Sequence, residues 1–372
     1  MSSGVLIAGG GLAAQRCAEA LRQGGYDGPV RLVSAETSAP YDRPPLSKAF
    51  LAGEQTADEL ALRPATWHTE QDVDVVLGEQ ASGLDPDARS LTTATGRSFG
   101  YEHLVIATGS RARSLPGAHE HTNVHTLRTL DDATRLRAAL RPGTRLAVLG
   151  AGLIGQEVAA TAAHAGADVV LVEAEQLPLG RALHPELAAW LVGLQRAEGV
   201  EVRLGARVAS LAADGDRLQA LRLVDGTSVE LDELLVAIGV QPNDDWLPAP
   251  LAELTARPEI HAAGDVAGGD HWELAAHQGR AAAHAILGRE PRPAPLTSWW
   301  SDVHGIRLQG LGSPAGADAL QIDGEQADRS FTAVATRAGV PVAALAVGRP
   351  REVPRLRGLL QSPHTTPQKE AA

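Results

Sequence analysis

The chain has 372 residues, 44% of them apolar, with 33 Lys and Arg against 45 Asp and Glu for a formal net charge of -12. That length exceeds one ordinary core and suits two or three domains, while the acidic balance argues against nucleic acid or an anionic membrane as a partner of the whole surface. The single cysteine, Cys17, excludes an intrachain disulfide, a Cys-x-x-Cys redox pair and a thiolate metal cage supplied by this chain.

From the N-terminus, the apolar stretch Gly4 to Ala14 has no basic flank and runs into a glycine-rich turn, unlike a signal peptide. No later segment reaches the roughly 18 apolar residues of a membrane span. No membrane is expected, and cytoplasm is the expected location. The same stretch opens an internal repeat. VLIAGGGLAAQRCAEALRQGGYDGPVRLVSAE, from Val5 to Glu36, is echoed by LAVLGAGLIGQEVAATAAHAGADVVLVEAE, from Leu146 to Glu175. Each half reads as an apolar strand, a glycine turn, an alanine-rich helix and a second strand ending in an acid, a βαβ unit.

In the first unit Gly9, Gly11 and Ala14 hold the Gly-x-Gly-x-x-Gly/Ala positions. The first permits the tight turn, the second lets a pyrophosphate approach the backbone, and the third lets the helix pack close to the strand. Glu36 ends the second strand, where its carboxylate can accept both ribose hydroxyls. The second unit repeats the pattern with Gly150, Gly152 and Gly155, and with Glu173 at the strand end. A carboxylate there welcomes a 2′-hydroxyl and repels a 2′-phosphate, so NADH is expected over NADPH.

Short strands fill the stretch between the units, LVIATGS from Leu104 to Ser110 among them. After the second unit, VEVRLGARVASL and LQALRLVDGTSVELDELLVAIG read as hairpins returning to a final strand. A proline-rich linker, Arg289 to Ser298, precedes a C-terminal piece of mainly strand-like pattern, and the last ten residues read as disordered. The fold class is α/β: a doubly wound dinucleotide-binding domain split by an inserted second one, then a small C-terminal α+β domain. Thirteen histidines show no HExxH or similar ligand spacing, so no metal is expected.

The segment YDRPPLSKAFLAGE, from Tyr41 to Glu54, resembles the flavoprotein reductases that feed two-iron ferredoxins of Rieske oxygenases and haem monooxygenases, a family related to rubredoxin reductase and apoptosis-inducing factor. Further matches follow in order: LALRPATWH, YEHLVIATGSRARSLPG, LRTLDDATRLRAAL, AIGVQPN, IHAAGDVA, HWELAAHQGRAA and SWWSDVHGIRLQ. The resemblance implies two Rossmann-like domains of the glutathione-reductase-like kind, with FAD on 1–113 and 240–290, NAD on 114–239, and a reductase domain over 295–365.

It also implies site residues. Arg43 and Lys48 lie beside the flavin, with Lys48 near its reactive nitrogen and paired with Glu157, where a cation steadies reduced flavin. Thr108, Gly109, Arg128 and Ala81 are further FAD contacts, and Asp265 holds the ribityl hydroxyls. Trp272 and Trp300 flank the isoalloxazine, Trp300 where nicotinamide docks, while Ile154 and Gly239 contact NAD. Lys48, Glu157 and Trp300 are the implied catalytic group.

The implied reaction takes hydride from NADH onto FAD and passes single electrons to a two-iron two-sulfur ferredoxin. Arg349, Arg351, Arg355 and Arg357 form a basic run suited to docking that acidic partner. Two alternatives stand beside it. NADH oxidases and disulfide reductases need a redox cysteine after the first acid strand, where this chain has Tyr41-Asp42-Arg43. A non-catalytic flavoprotein of the apoptosis-inducing-factor kind would use the same cofactors for signalling. The chain is shorter than the family between Asn243 and Ile260 and between Val266 and Trp272, and carries Leu274 and Val303 where asparagine and glutamine are usual. Both shortened stretches lie near the FAD site, where they bear on flavin affinity and on the order of that domain.

Overall fold

Strand Val5–Ala8 sends Val5 and Ile7 to one face and Leu6 and Ala8 to the other, and both faces are buried. An apolar strand without alternation belongs in the middle of a parallel sheet covered on both sides. The computed structural model, which describes residues 4–268, 271–290 and 292–362, places it there. The sheet order is Ile260–Ala262, His103–Ile106, Val5–Ala8, Val30–Val33 and Val73–Val76, all parallel, with Val5 level with both Val30 and His103.

Helix Leu12–Gln23 covers one face with Ala13, Ala14, Cys17, Ala18 and Leu21, the spacing of a single buried stripe. Helix Trp272–Ile286 packs against it so closely that a Cβ on Gly279 would fall 2.1 Å from the Ala13 carbonyl oxygen. On the other face, Leu84, Leu91 and Phe99 of a small antiparallel sheet (Ala81–Asp85, Ser90–Thr93, Ser98–Gly100) meet Leu6, Ala8 and Ile106. The abbreviated stretch 243–260 is folded onto this second core, with Leu254 and Ile260 buried and Trp246 and Leu247 against them. These elements belong to one compact unit, made of 1–44, 55–111 and 240–295.

The other unit, 45–54, 112–239 and 296–372, repeats the parallel architecture. Its sheet order is Glu201–Arg203, Asp168–Val172, Arg145–Leu149, Glu233–Val236 and Val124–His125. The expected hairpin VEVRLGARVASL is instead divided. Its first strand extends this parallel sheet, and its second, Val208–Asp214, opens an antiparallel sheet with Arg217–Leu223 and Ser228–Glu230. A strand buried on both faces and one buried on a single face look alike over three residues, so the pattern did not separate them.

The same unit holds the C-terminal sheet, antiparallel in the order Ser298–Val303, Ile306–Gly312, Val340–Val347, Ser330–Arg337 and Ala319–Glu325. Its Trp299, Phe331 and Val347 share a core with Leu187, Leu191 and Leu194 of helix Pro185–Ala197. The helix Val353–Gln361 lays Leu356 on its opposite face. The disorder expected for the last ten residues falls on positions outside the described residues.

Candidate functional site

Both glycine turns have the geometry that a dinucleotide requires. Gly9 and Gly150 have φ of 138° and 102°, and a Cβ on either would press on the next strand's backbone, 2.0 Å from the Ala107 oxygen and 2.4 Å from the Ala237 oxygen. Beside Gly11 and Gly152 the reverse holds, with no protein atom within 4 Å of where a Cβ would sit. Those two glycines are also the N-caps of helices Leu12–Gln23 and Leu153–His164, and neither helix has a side-chain cap. Backbone N–H groups at a helix start, next to open space and backed by the helix dipole, fit a pyrophosphate.

The acids behind the turns differ. Glu173 accepts the Ala151 N–H through Oε2 at 2.8 Å and the Glu175 N–H through Oε1 at 3.0 Å, so it braces its own glycine turn. Glu36 instead receives the Tyr41 hydroxyl at 2.5 Å and Arg43 at 2.6 Å. Arg43 therefore stands on the acid of the first turn, with the Tyr41 hydroxyl 3.0 Å away.

Around the first turn several expected residues are joined by partners the motifs did not reveal. Asp265 accepts from Ser110 Oγ at 2.7 Å, and Trp272 Nε1 donates to Asp42 at 2.7 Å. Thr108 Oγ1 donates to the Asn243 carbonyl at 2.7 Å, and Asn243 Nδ2 returns a bond to the Thr108 carbonyl at 3.0 Å. Asn243 closes the AIGVQPN motif, so its presence there was the available signal. Gly109, at φ of 68°, follows in the same turn, and Ala81 begins the small antiparallel sheet.

In the other unit Lys48 Nζ stands 2.7 Å from Glu157 Oε2, the pairing expected from the sequence. Glu157 is 3% exposed and also receives two hydroxyls, from Ser47 and, at 2.6 Å, from Ser301. Neither serine was singled out, although each sits inside a quoted motif, LSK and WSD. Trp300 is half-buried, while its neighbour Trp299 is a core residue packed over Gly310. Ile154 lies in the first turn of helix Leu153–His164, Gly239 accepts the Arg113 N–H, and Arg128 precedes the capping-box residue Thr129.

The C-terminal arginines are not equally available. Arg349 bonds Ser330 Oγ and the Asp323 carbonyl, and Arg355 pairs with Glu352 at 2.7 Å, which leaves Arg351 exposed beside them. Cys17 is fully buried in helix Leu12–Gln23, and burial pushes its thiol up to about 12. Among the described residues no three His, Cys, Asp or Glu side chains are grouped to hold a metal, and no helix is long and apolar enough to cross a membrane.

Two family models cover most of the chain: pyridine nucleotide-disulphide oxidoreductase over residues 3–279 and reductase C-terminal over 298–372. The 5,5'-dehydrodivanillate O-demethylase ferredoxin reductase subunit of a Sphingobium strain is 37% identical, across 95% of this chain and 92% of its own. Putidaredoxin reductase of Pseudomonas putida is 34% identical, across 94% and 89%. Among solved structures, the covalent putidaredoxin reductase–putidaredoxin complex superposes with a TM-score of 0.89 at 31% identity, covering 96% of this chain and 93% of that one. The ferredoxin reductase of the CYP199A2 system from Rhodopseudomonas palustris gives 0.86 at 32%, covering 93% and 91%. The chain belongs to the FAD-dependent ferredoxin reductases of the pyridine nucleotide-disulphide oxidoreductase family.

Proposed function

We propose that this chain takes hydride from NADH onto FAD and passes the electrons singly to a two-iron two-sulfur ferredoxin of an oxygenase system. The reading is carried by the two glycine turns, each with an uncapped helix start facing open space and an acid behind it. FAD belongs to the turn at Gly9, on 1–113 and 240–290, and NADH to the turn at Gly150, on 114–239, with 295–365 as the reductase domain. When bound, the flavin accepts two electrons as hydride and releases them one at a time. The protein's own residues hold and orient. Gly11, Ala14, Glu36, Arg43, Thr108, Gly109 and Asp265 are assigned to FAD, Glu173 to the ribose of NADH, and Lys48 to the charge of the reduced ring.

Cys17 argues against the disulfide-reducing relatives. A redox cysteine must present a thiolate, and a thiol buried in a helix core does not. Hydride reaching the flavin therefore has no internal disulfide to reduce, and export to a separate acceptor follows. The reading places the chain in the cytoplasm, in keeping with the single cysteine. Anaerobic stopped-flow mixing tests it. NADH is expected to bleach the flavin rapidly, and added ferredoxin to restore its absorbance just as fast. A long-lived charge-transfer species that ignores ferredoxin would instead support a signalling flavoprotein.

A further inference from the structure

Helix Leu153–His164 presents two polar side chains one turn apart, Glu157 and Thr161. Both grip the segment 45–54: Thr161 Oγ1 donates to the Ser47 carbonyl at 2.9 Å, and Glu157 takes the Ser47 hydroxyl and the Lys48 ammonium on Oε2. Its other oxygen, Oε1, is reached from a different part of the chain, by Ser301 Oγ at 2.6 Å. Ser301 owes that direction to strand alternation. In Ser298–Val303 the buried residues Trp299, Ser301 and Val303 point one way, and Trp300 and Asp302 the other. Asp302 is clamped by Arg307 across the hairpin, which fixes the strand's face.

We infer that Ser301 is a positioning residue for the transfer of hydride to the flavin, acting through Glu157 upon Lys48, and this inference rests on the role assigned to Lys48 above. A buried carboxylate whose two oxygens are held by separate groups has one orientation. With Oε1 released it can turn about its last torsion, because that sp³–sp² bond has a broad, roughly two-fold potential. Oε2 then no longer stays where Lys48 Nζ meets it, and a buried acceptor is left without a donor. The ammonium loses its fixed place, although every residue assigned above to the cofactors is still present. Geometry of this kind is sensitive to small displacements.

The test uses the holoenzyme with Ser301→Ala, Ser301→Thr, Lys48→Met and the double variant. In Ser301→Ala the limiting rate of flavin reduction at saturating NADH is expected to fall about tenfold with the NADH dissociation constant unchanged, the mark of an interaction made in the transition state. The two-electron flavin potential, measured without NADH, is expected to fall by about 30 mV, the equivalent of a tenfold loss of preference for the reduced form. Ser301→Thr, which keeps the hydroxyl, restores both. In the Lys48→Met background Ser301→Ala adds nothing, because the two act as one unit. If Lys48→Met lowers rate and potential while Ser301→Ala leaves them unmoved, the positioning role is overturned and the Lys48 role stands. If Lys48→Met moves neither, the Lys48 reading is overturned and this inference with it. A further fall in the double variant overturns the inference alone.

Discussion

At the scale of the residue, Glu173 carries two tasks that a single truncation removes at once. It braces the turn through the Ala151 N–H and, in the proposed reading, meets the ribose of NADH. Glu173→Ala removes the charge that repels a 2′-phosphate and the brace together. The preference for NADH over NADPH, measured as the ratio of kcat/KM, is expected to shrink about tenfold, the worth of about 1.4 kcal/mol. That acid was legible because it ends a strand a fixed distance from its own glycines. Ser47, Ser110 and Ser301 were not, because their partners Glu157 and Asp265 lie far away in the chain. A serine has no spacing rule, and only the fold selects which one faces a carboxylate.

At the scale of the element, each βαβ unit was readable because strand, turn and helix are contiguous. The edge strand Ile260–Ala262 was not legible as a neighbour of His103–Ile106, since pairing at that separation leaves no local pattern. That pairing brings His103 and His261 together with ring centroids 5.7 Å apart. Burial, with His103 beside it, pushes His261 down from the ordinary 6.5 to about 4. Between those values the unfolded chain binds a proton that the folded strand refuses. Stability is therefore complete above about pH 6.5 and declines as pH falls toward 4. His261→Gln is expected to flatten that decline by on the order of 1–2 kcal/mol, allowing for the ring's partial exposure. Urea midpoints at pH 7 and pH 4.5 measure it, and a wild-type slope retained in the variant would assign the acid sensitivity elsewhere.

At the scale of the molecule, a net charge of -12 repels an acidic ferredoxin unless basic charge is locally concentrated. In the proposed reading Arg351 and Arg355 supply that charge on the C-terminal piece, with Arg355 already paired to Glu352. Reversing both to glutamate is expected to raise KM for ferredoxin several-fold and to leave reduction of a small dye unchanged, with the difference shrinking at high salt. Equal loss with both acceptors would remove the patch from consideration. A second basic surface, a pocket of about 330 Å³ lined by His277, Arg280, His284, Arg289 and Arg292, supplies the comparison, and Arg280→Glu measured alongside shows whether it shares the load.

The way the chain is shared between the units also governs its biosynthesis. Strand Ile260–Ala262, which completes the first parallel sheet, leaves the ribosome only after 112–239 has been made. Helix Pro185–Ala197 likewise waits for Trp299 and Phe331 before its leucines are covered. Between the making of that helix and the emergence of Ile260–Ala262, a nascent chain therefore carries an unfinished sheet and a bare helix at once, the kind of exposed apolar surface that aggregates.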